Sequence, residues 1–368
     1  MRKVPVDKLK PGMIVGRSVS NTNGQVLLAR GSELNDTFIK RLSYLGIPAV
    51  YIDDGFLPDA QVEDLVSEKT RYQAMELTKK VFQDFKYTRS LSGLDKIEKT
   101  VDILIKELLE NNTLVVNLSD IRSLDEYTFG HSVNTCILSI ITAIHMGYNE
   151  RKLYLLAMGA ILHDLGKILV PQEILNKPGK LTDQEYDLIK THTEFGHRLL
   201  AANRDFNPVT STIALQHHER YNGSGYPKGL AGDQIHEFSS IVGVADVYDA
   251  LTADRVYRKS VSAHEAFEMV SGTGDYLFDY NVVKAFLYHV AAYPAGSLVK
   301  LNNGQTGVVL KNKPGLPLRP LVRVLFNERG EAMVNPYELD LVEHLNFSII
   351  NVIEDERVLE IYKKKLLT

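Results

Sequence analysis

Eight of the eleven histidines in this chain of 368 residues fall between residues 131 and 236, where an even spread would put about three. Their surroundings constrain the fold more than their number does. His163 and Asp164 close the apolar run LLAMGAIL in LLAMGAILHDLGKILV, so the pair projects from the end of a helix that must be buried. His131 follows DEYTFG and enters an apolar helical stretch with Val133, Ile137 and Ile140. His192 lies in IKTHTEFGHRLL, His217 and His218 in ALQHHERY, and Asp246 in IVGVADVYDAL. A buried imidazole or carboxylate without a partner is penalised. The chain must therefore fold its helices so that these polar groups are compensated.

Clustered imidazoles usually signal metal or proton chemistry. Iron, manganese and zinc accept imidazole and carboxylate together. Two such ions ~3.5–4 Å apart need a bridging carboxylate, and they can share and deprotonate a water. Five histidines and two aspartates suffice for two octahedral ions once bridging oxygens and waters are counted. A structural zinc would need only four ligands and would favour cysteine. The single cysteine, Cys136, argues against such a site; it reads as a small core residue and cannot form an internal disulfide, which fits a reducing compartment. His145, His197 and His236 read as lying outside the ligand set, His197 because five residues from His192 is a poor same-face spacing.

Taken in order, HDLGK, HHERYNGSGYP and VADVYDALTADRVYR resemble the HD-GYP domain, a bacterial subgroup of the HD metal-dependent phosphohydrolases, over roughly residues 113–292. The resemblance implies an all-helical phosphodiesterase domain that hydrolyses cyclic dinucleotides, above all cyclic di-GMP, with cyclic GMP-AMP as the alternative substrate. It further implies that His131, His163, Asp164 and Asp246 hold one metal. Asp164 would bridge to a second metal held by His192, His217 and His218, and Gly225-Tyr226-Pro227 is the motif of the family name. Iron or manganese is the expected metal, and a hydroxide bridging the pair is the expected nucleophile. Some members hold a third metal through a glutamate four residues before the first histidine. Tyr127 occupies that place here, and the neighbouring Glu126 would be rotated ~100° away on a helix, so two metals are expected.

Around this centre, Lys167 is expected to hold a phosphoryl oxygen and to neutralise charge in the transition state. Arg255 and Arg258 would form a second phosphate clamp, or else pair with Asp249 or Asp254. Tyr226 would stack on a base or serve the packing of its own loop.

The fold expected is mainly α: a central helical HD-type domain flanked by a small N-terminal α+β module and a C-terminal β module. Residues 1–55 read as the first of these. They carry apolar runs Met13–Val19 and Gln25–Ala29 around a turn at Asn23-Gly24, a helix ended by Gly46, and the strand IPAVYI. Residues 56–112 read as two helices broken at 90–93, the first opened by Pro58 and Asp59. They are a connector, part of the central core or a dimer seam. Residues 113–292 form the catalytic domain. Residues 293–368 carry the strand-like runs SLVKL, TGVVLK and PLVRVLF, then a terminal helix ending in YKKKLLT.

A formal charge of −4 lacks the basic footprint of a nucleic-acid polymer binder. No stretch approaches the ~18 apolar residues of a membrane span, so a cytoplasmic protein is expected. Three functional classes remain. The first is an active phosphodiesterase. The second is a metal-bearing, catalytically weak signalling module acting through partners such as diguanylate cyclases. The third is an HD hydrolase of another nucleotide, against which the GSGYP loop and the doubled histidine argue.

Overall fold

The computed structural model describes residues 2–20, 26–45, 47, 49–53, 65–88, 94–111, 115–116, 127–177, 179–253 and 261–353. At the N-terminus, β1 (Arg2–Pro5) pairs antiparallel with a later strand, and a short ribbon joins β2 (Val19–Ser20) to β3 (Val26–Leu28). Helix α1 (Asp36–Tyr44) starts where Asn35 accepts a hydrogen bond from the Phe38 amide. It leads into β4 (Ala49–Ile52), the partner of β1. The run from Met13 to Val19 is thus mostly not strand: Ile14 and Val15 make isolated bridges, and the regular pairing begins at Val19. The expected turn residues Asn23 and Gly24 lie outside the described residues, as does Gly46. Val4, Val15, Leu34, Leu42, Val50 and Ile52 form a separate small core for this module.

Two long helices follow, α2 (Glu68–Thr88) and α3 (Leu94–Glu110). The described part of the first begins ten residues after Pro58, and residues 54–64 lie outside the described set. Glu107 of α3 accepts hydrogen bonds from the Ser67 amide and the Thr70 hydroxyl, tying the start of α2 to its neighbour. Phe82, Phe85, Ile97, Val101 and Leu104 belong to the same contiguous core as the helices beyond, which places this pair in the central body.

The central body comprises α4 (Tyr127–His145), α5 (Glu150–Leu162), a 3-10 turn (Leu165–Leu169), the single turn α6 (Gln172–Leu175), α7 (Asp183–Lys190), α8 (His192–Ala201), α9 (Pro208–Gln216), α10 (Glu237–Thr252), α11 (Ala263–Ser271) and α12 (Tyr280–Tyr288). Residues 130–143 of α4 are buried without interruption, and α10 is nearly so. Helices apolar all round belong at the middle of a bundle, and α4 packs on α2, α5, α10 and α12. Among the described residues no helix is long and apolar enough to cross a membrane.

A five-stranded antiparallel sheet closes the described chain, in the order β8-β7-β6-β5-β9, with β5 (Leu298–Leu301), β6 (Thr306–Lys311), β7 (Leu321–Phe326), β8 (Ala332–Asp340) and β9 (Ile349–Val352). Val299, Leu301, Val309, Val322 and Val324 join the central core, while Leu298, Val308, Leu325 and Phe326 make a smaller one. Two of these strands were not expected. Pro336 interrupts the strand pattern of β8 and is tolerated because β8 is an edge. The terminal helix falls outside the described residues.

Candidate metal centre

Helix ends deliver most of the site. His163 is the residue at which α5 stops, His217 holds the same place on α9, and His192 opens α8 directly after α7. The last carbonyls of a helix have no partner within it. Each of these rings uses one: His163 Nδ1 lies 2.6 Å from the Ala160 carbonyl, His192 Nδ1 2.7 Å from that of Ile189, and His217 Nδ1 3.0 Å from that of Ala214. A carbonyl can only accept, so Nδ1 carries the proton in all three rings and Nε2 is left with a lone pair facing inward.

His131, on α4, and Asp246, on α10, complete one side, with His131 Nε2 3.0 Å from Asp246 Oδ1. Asp164 stands between the groups. Its Oδ2 is 3.7 Å from His131 Nε2 and 3.4 Å from His163 Nε2. Its Oδ1 is 3.4 Å from His192 Nε2 and 3.9 Å from His217 Nε2. His218 Nδ1 lies 3.6 Å from Asp246 Oδ2. The structure therefore brings together all seven residues expected as ligands. Two compact donor groups stand out, His131 with His163 and Asp164, and His192 with His217 and His218.

The donors fit divalent cations. His192 Nε2 and His217 Nε2 approach to 3.3 Å with lone pairs on both, an arrangement that needs a proton or a cation between them. His163 Nε2 and Asp164 Oδ1 are buried without a hydrogen-bond partner among the described residues. Burial holds the rings neutral: it pushes His192 down to about 4 and, with the neighbouring imidazoles, pushes His217 and His218 well below the ordinary histidine value. For His131 burial also acts downward, but the carboxylates of Asp246 and Asp249 outweigh it and raise the ring to about 8. Burial would raise the Asp164 carboxyl, yet the Lys167 ammonium and the His163 and His192 rings hold it well below the carboxylate range.

Lys167 Nζ reaches Asp164 from the 3-10 turn. That turn packs tightly on α8, where a Cβ on Gly166 would lie 1.9 Å from the His192 carbonyl oxygen. Tyr226 stacks on His218 with ring centroids 4.7 Å apart, and Tyr186 meets its ring edge-on at 6.4 Å. A Cβ on Gly225 would fall 2.4 Å from the Arg220 amide nitrogen, so its loop closes too tightly for a side chain there.

Arg255, Arg258, Asp254 and Glu126 lie outside the described residues, as does the Tyr127 side chain. His145 stacks on Tyr288, His197 Nδ1 meets the Ser211 carbonyl, and His236 caps α10 by accepting from the Phe238 amide. Cys136 is buried in the core.

Two residues of the site escaped the sequence reading. Asp249 sits one turn after Asp246 on α10, with Oδ2 2.7 Å from His131 Nδ1. The i, i+3 spacing of two aspartates on an apolar helix was the available signal. Glu219 is buried beneath the GYP loop, accepting from the Lys228 amide at 2.8 Å and the Leu230 amide at 2.9 Å. A charged residue beside a glycine-rich loop carries no such signal in sequence.

Comparison with known proteins matches residues 125–282 to the HD domain family and residues 298–360 to a KOW domain associated with HD domains. The chain is 32% identical over 369 residues to a cyclic di-GMP phosphodiesterase of Pseudomonas aeruginosa, covering 93% of this chain and 89% of that one. It is 37% identical over 166 residues to 3'3'-cGAMP-specific phosphodiesterase 1 of Vibrio cholerae, covering 45% of this chain and 38% of that one. In fold it is similar to the HDG"Y"P protein Bd1817 of Bdellovibrio bacteriovorus, with a TM-score of 0.51 at 19% identity over 77% of this chain and 97% of that one.

Proposed function

The chain belongs to the HD-GYP family, and from that premise we propose that it is a metal-dependent phosphodiesterase that hydrolyses cyclic di-GMP at a two-metal centre. The observation that carries this reading is the division of the Asp164 carboxylate, one oxygen facing His131 and His163 and the other facing His192 and His217. In this reading His131, His163, Asp164 and Asp246 hold one metal, and Asp164, His192, His217 and His218 the other. The ions, iron or manganese, would supply Lewis acidity and lower the pKa of water to the neutral range.

The chain's own groups do the positioning. Nδ1–H bonds to last-turn carbonyls keep the Nε2 atoms of His163, His192 and His217 inward, so no reorganisation is needed when charge develops. Lys167 brings an ammonium, a quarter exposed, to the rim of the carboxylate. There it would bind a non-bridging phosphoryl oxygen of the substrate. Tyr226 and Tyr186 would border the same rim, and Arg255 and Arg258 would take the second phosphate.

Cyclic GMP-AMP is the second reading for the substrate, supported by the likeness to the Vibrio cholerae enzyme. The cytoplasm as its location, a diguanylate cyclase as partner and a homodimer as assembly belong to the same proposal. The test is metal analysis of anaerobically purified protein with turnover measured on both cyclic dinucleotides. Two ions per chain and faster turnover of cyclic di-GMP are expected. Protein that takes up no metal when it is supplied, or that hydrolyses neither dinucleotide with both ions bound, would overturn the reading.

A further inference from the structure

His131 differs from the three rings oriented by last-turn carbonyls. It lies inside α4, where backbone carbonyls are already engaged in the helix. Its Nδ1 instead meets Asp249 Oδ2 at 2.7 Å, across to α10. Asp249 is fully buried, and its other oxygen accepts from Asn134 Nδ2 at 3.0 Å. The Asn134 carbonyl oxygen accepts in turn from Arg71 Nη1 of α2 at 3.1 Å. A guanidinium can only donate and a carboxylate only accept, so the Asn134 amide has one permitted orientation. Polarity therefore runs one way through the chain, from Arg71 through Asn134 to Asp249, which receives the His131 proton.

We propose that Asp249 is the positioning residue for His131, and that Asn134 and Arg71 fix Asp249 in its place. Helix α10 then supplies the two carboxylates nearest the ring, Asp246 at Nε2 and, one turn on, Asp249 at Nδ1. Asp249 selects the tautomer whose Nε2 lone pair points into the donor group of His163 and Asp164. A carboxylate behind a ligating histidine also makes the ring a stronger donor. Helix α2 becomes part of the metal centre's support, which gives a physical reason for its place in the central core.

The proposal rests on the two-metal reading, and its test separates the two. Metal-free full-length protein is titrated with Mn²⁺ for wild type, Asp249→Asn, Asp249→Glu and Asn134→Ala, with circular dichroism and Tm recorded on each. Wild type is expected to take two ions. Asp249→Asn can present an N–H to Nδ1 and favour the wrong tautomer, so one site is expected to weaken ~10–100-fold while the other is unchanged. Its kcat is expected to fall with little change in KM, and Asp249→Glu is expected to recover part of the affinity. Asn134→Ala, which leaves the carboxylate in place, is expected to show a smaller loss at the same site, and it carries the test if Asp249→Asn does not fold. Two sites of wild-type affinity in a folded Asp249→Asn, or in Asn134→Ala should that variant alone fold, would overturn the positioning role even if Tm fell. Failure of wild type to bind two ions would instead overturn the metal reading beneath it.

Discussion

Lys167 Nζ stands 2.5 Å from Oδ2 of Asp164, so the carboxylate shared by both histidine groups is already in contact with a cation of the chain itself. That contact compensates a buried charge which would otherwise be costly. It also places the ammonium where an anionic phosphodiester would arrive.

Lys167→Ala is therefore expected to lower kcat by ~10²–10³-fold, the loss typical of a group that stabilises charge developing in the transition state. Metal affinity is expected to match or exceed wild type, because a competing cation is gone. Steady-state kinetics beside a metal titration checks both. An unchanged kcat would leave Lys167 as a counter-ion only.

The buried Glu219 carboxylate accepts two backbone N–H groups of the GYP loop. Glu219→Gln replaces one acceptor oxygen with an amide that faces a backbone N–H. Losing one charge-assisted bond costs about 1.5–3 kcal/mol. The urea midpoint is expected to fall accordingly, and KM to rise as the loop bearing Tyr226 loosens.

Gly166→Ala is expected to be far more damaging than its chemistry suggests, since the new methyl would meet the His192 carbonyl oxygen and the Gly196 amide nitrogen. Overpacking of this kind costs about 1–3 kcal/mol or more, and here it is expected to displace His192 and weaken metal binding. Gly272→Ala is the matched control: φ there is −75°, and the nearest atom would be 3.7 Å away. Thermal melts with metal analysis compare the two.

Stripping the metals with a chelator is expected to abolish turnover and lower Tm, because the lone pairs of His192 and His217 are left facing each other. Each refilled site adds about 2.7 kcal/mol when free metal is a hundredfold above its Kd. Scanning calorimetry with and without added Mn²⁺ reads the shift, and identical melts would contradict it.

The residues now found together at the site were legible in sequence because a polar group inside an apolar helical run advertises its cost. His131, His163, Asp164, His192, His217 and Asp246 all stood out in this way. Asp249 stood in an equally apolar run but two arginines nearby, Arg255 and Arg258, offered it a simpler partner. Helices α2 and α3 were legible as helices, yet periodicity does not say what an apolar face meets. Their place became clear from contacts such as the edge-on packing of Phe82 against Phe129. Strand β1 was missed because four residues ending in Pro5 give too short a pattern, and its evidence lies 44 to 50 residues away in its partner β4. Pro336 hid β8, since only the sheet order reveals that it lies at an edge.

The most direct test of the two-metal account is calorimetric titration of metal-free wild type and Asp164→Ala with Mn²⁺, paired with cyclic di-GMP hydrolysis by the same samples. The bridging role predicts two ions and turnover for wild type, and for Asp164→Ala the loss of both sites together with activity. An Asp164→Ala protein that keeps one site at wild-type affinity and most of its turnover would contradict it.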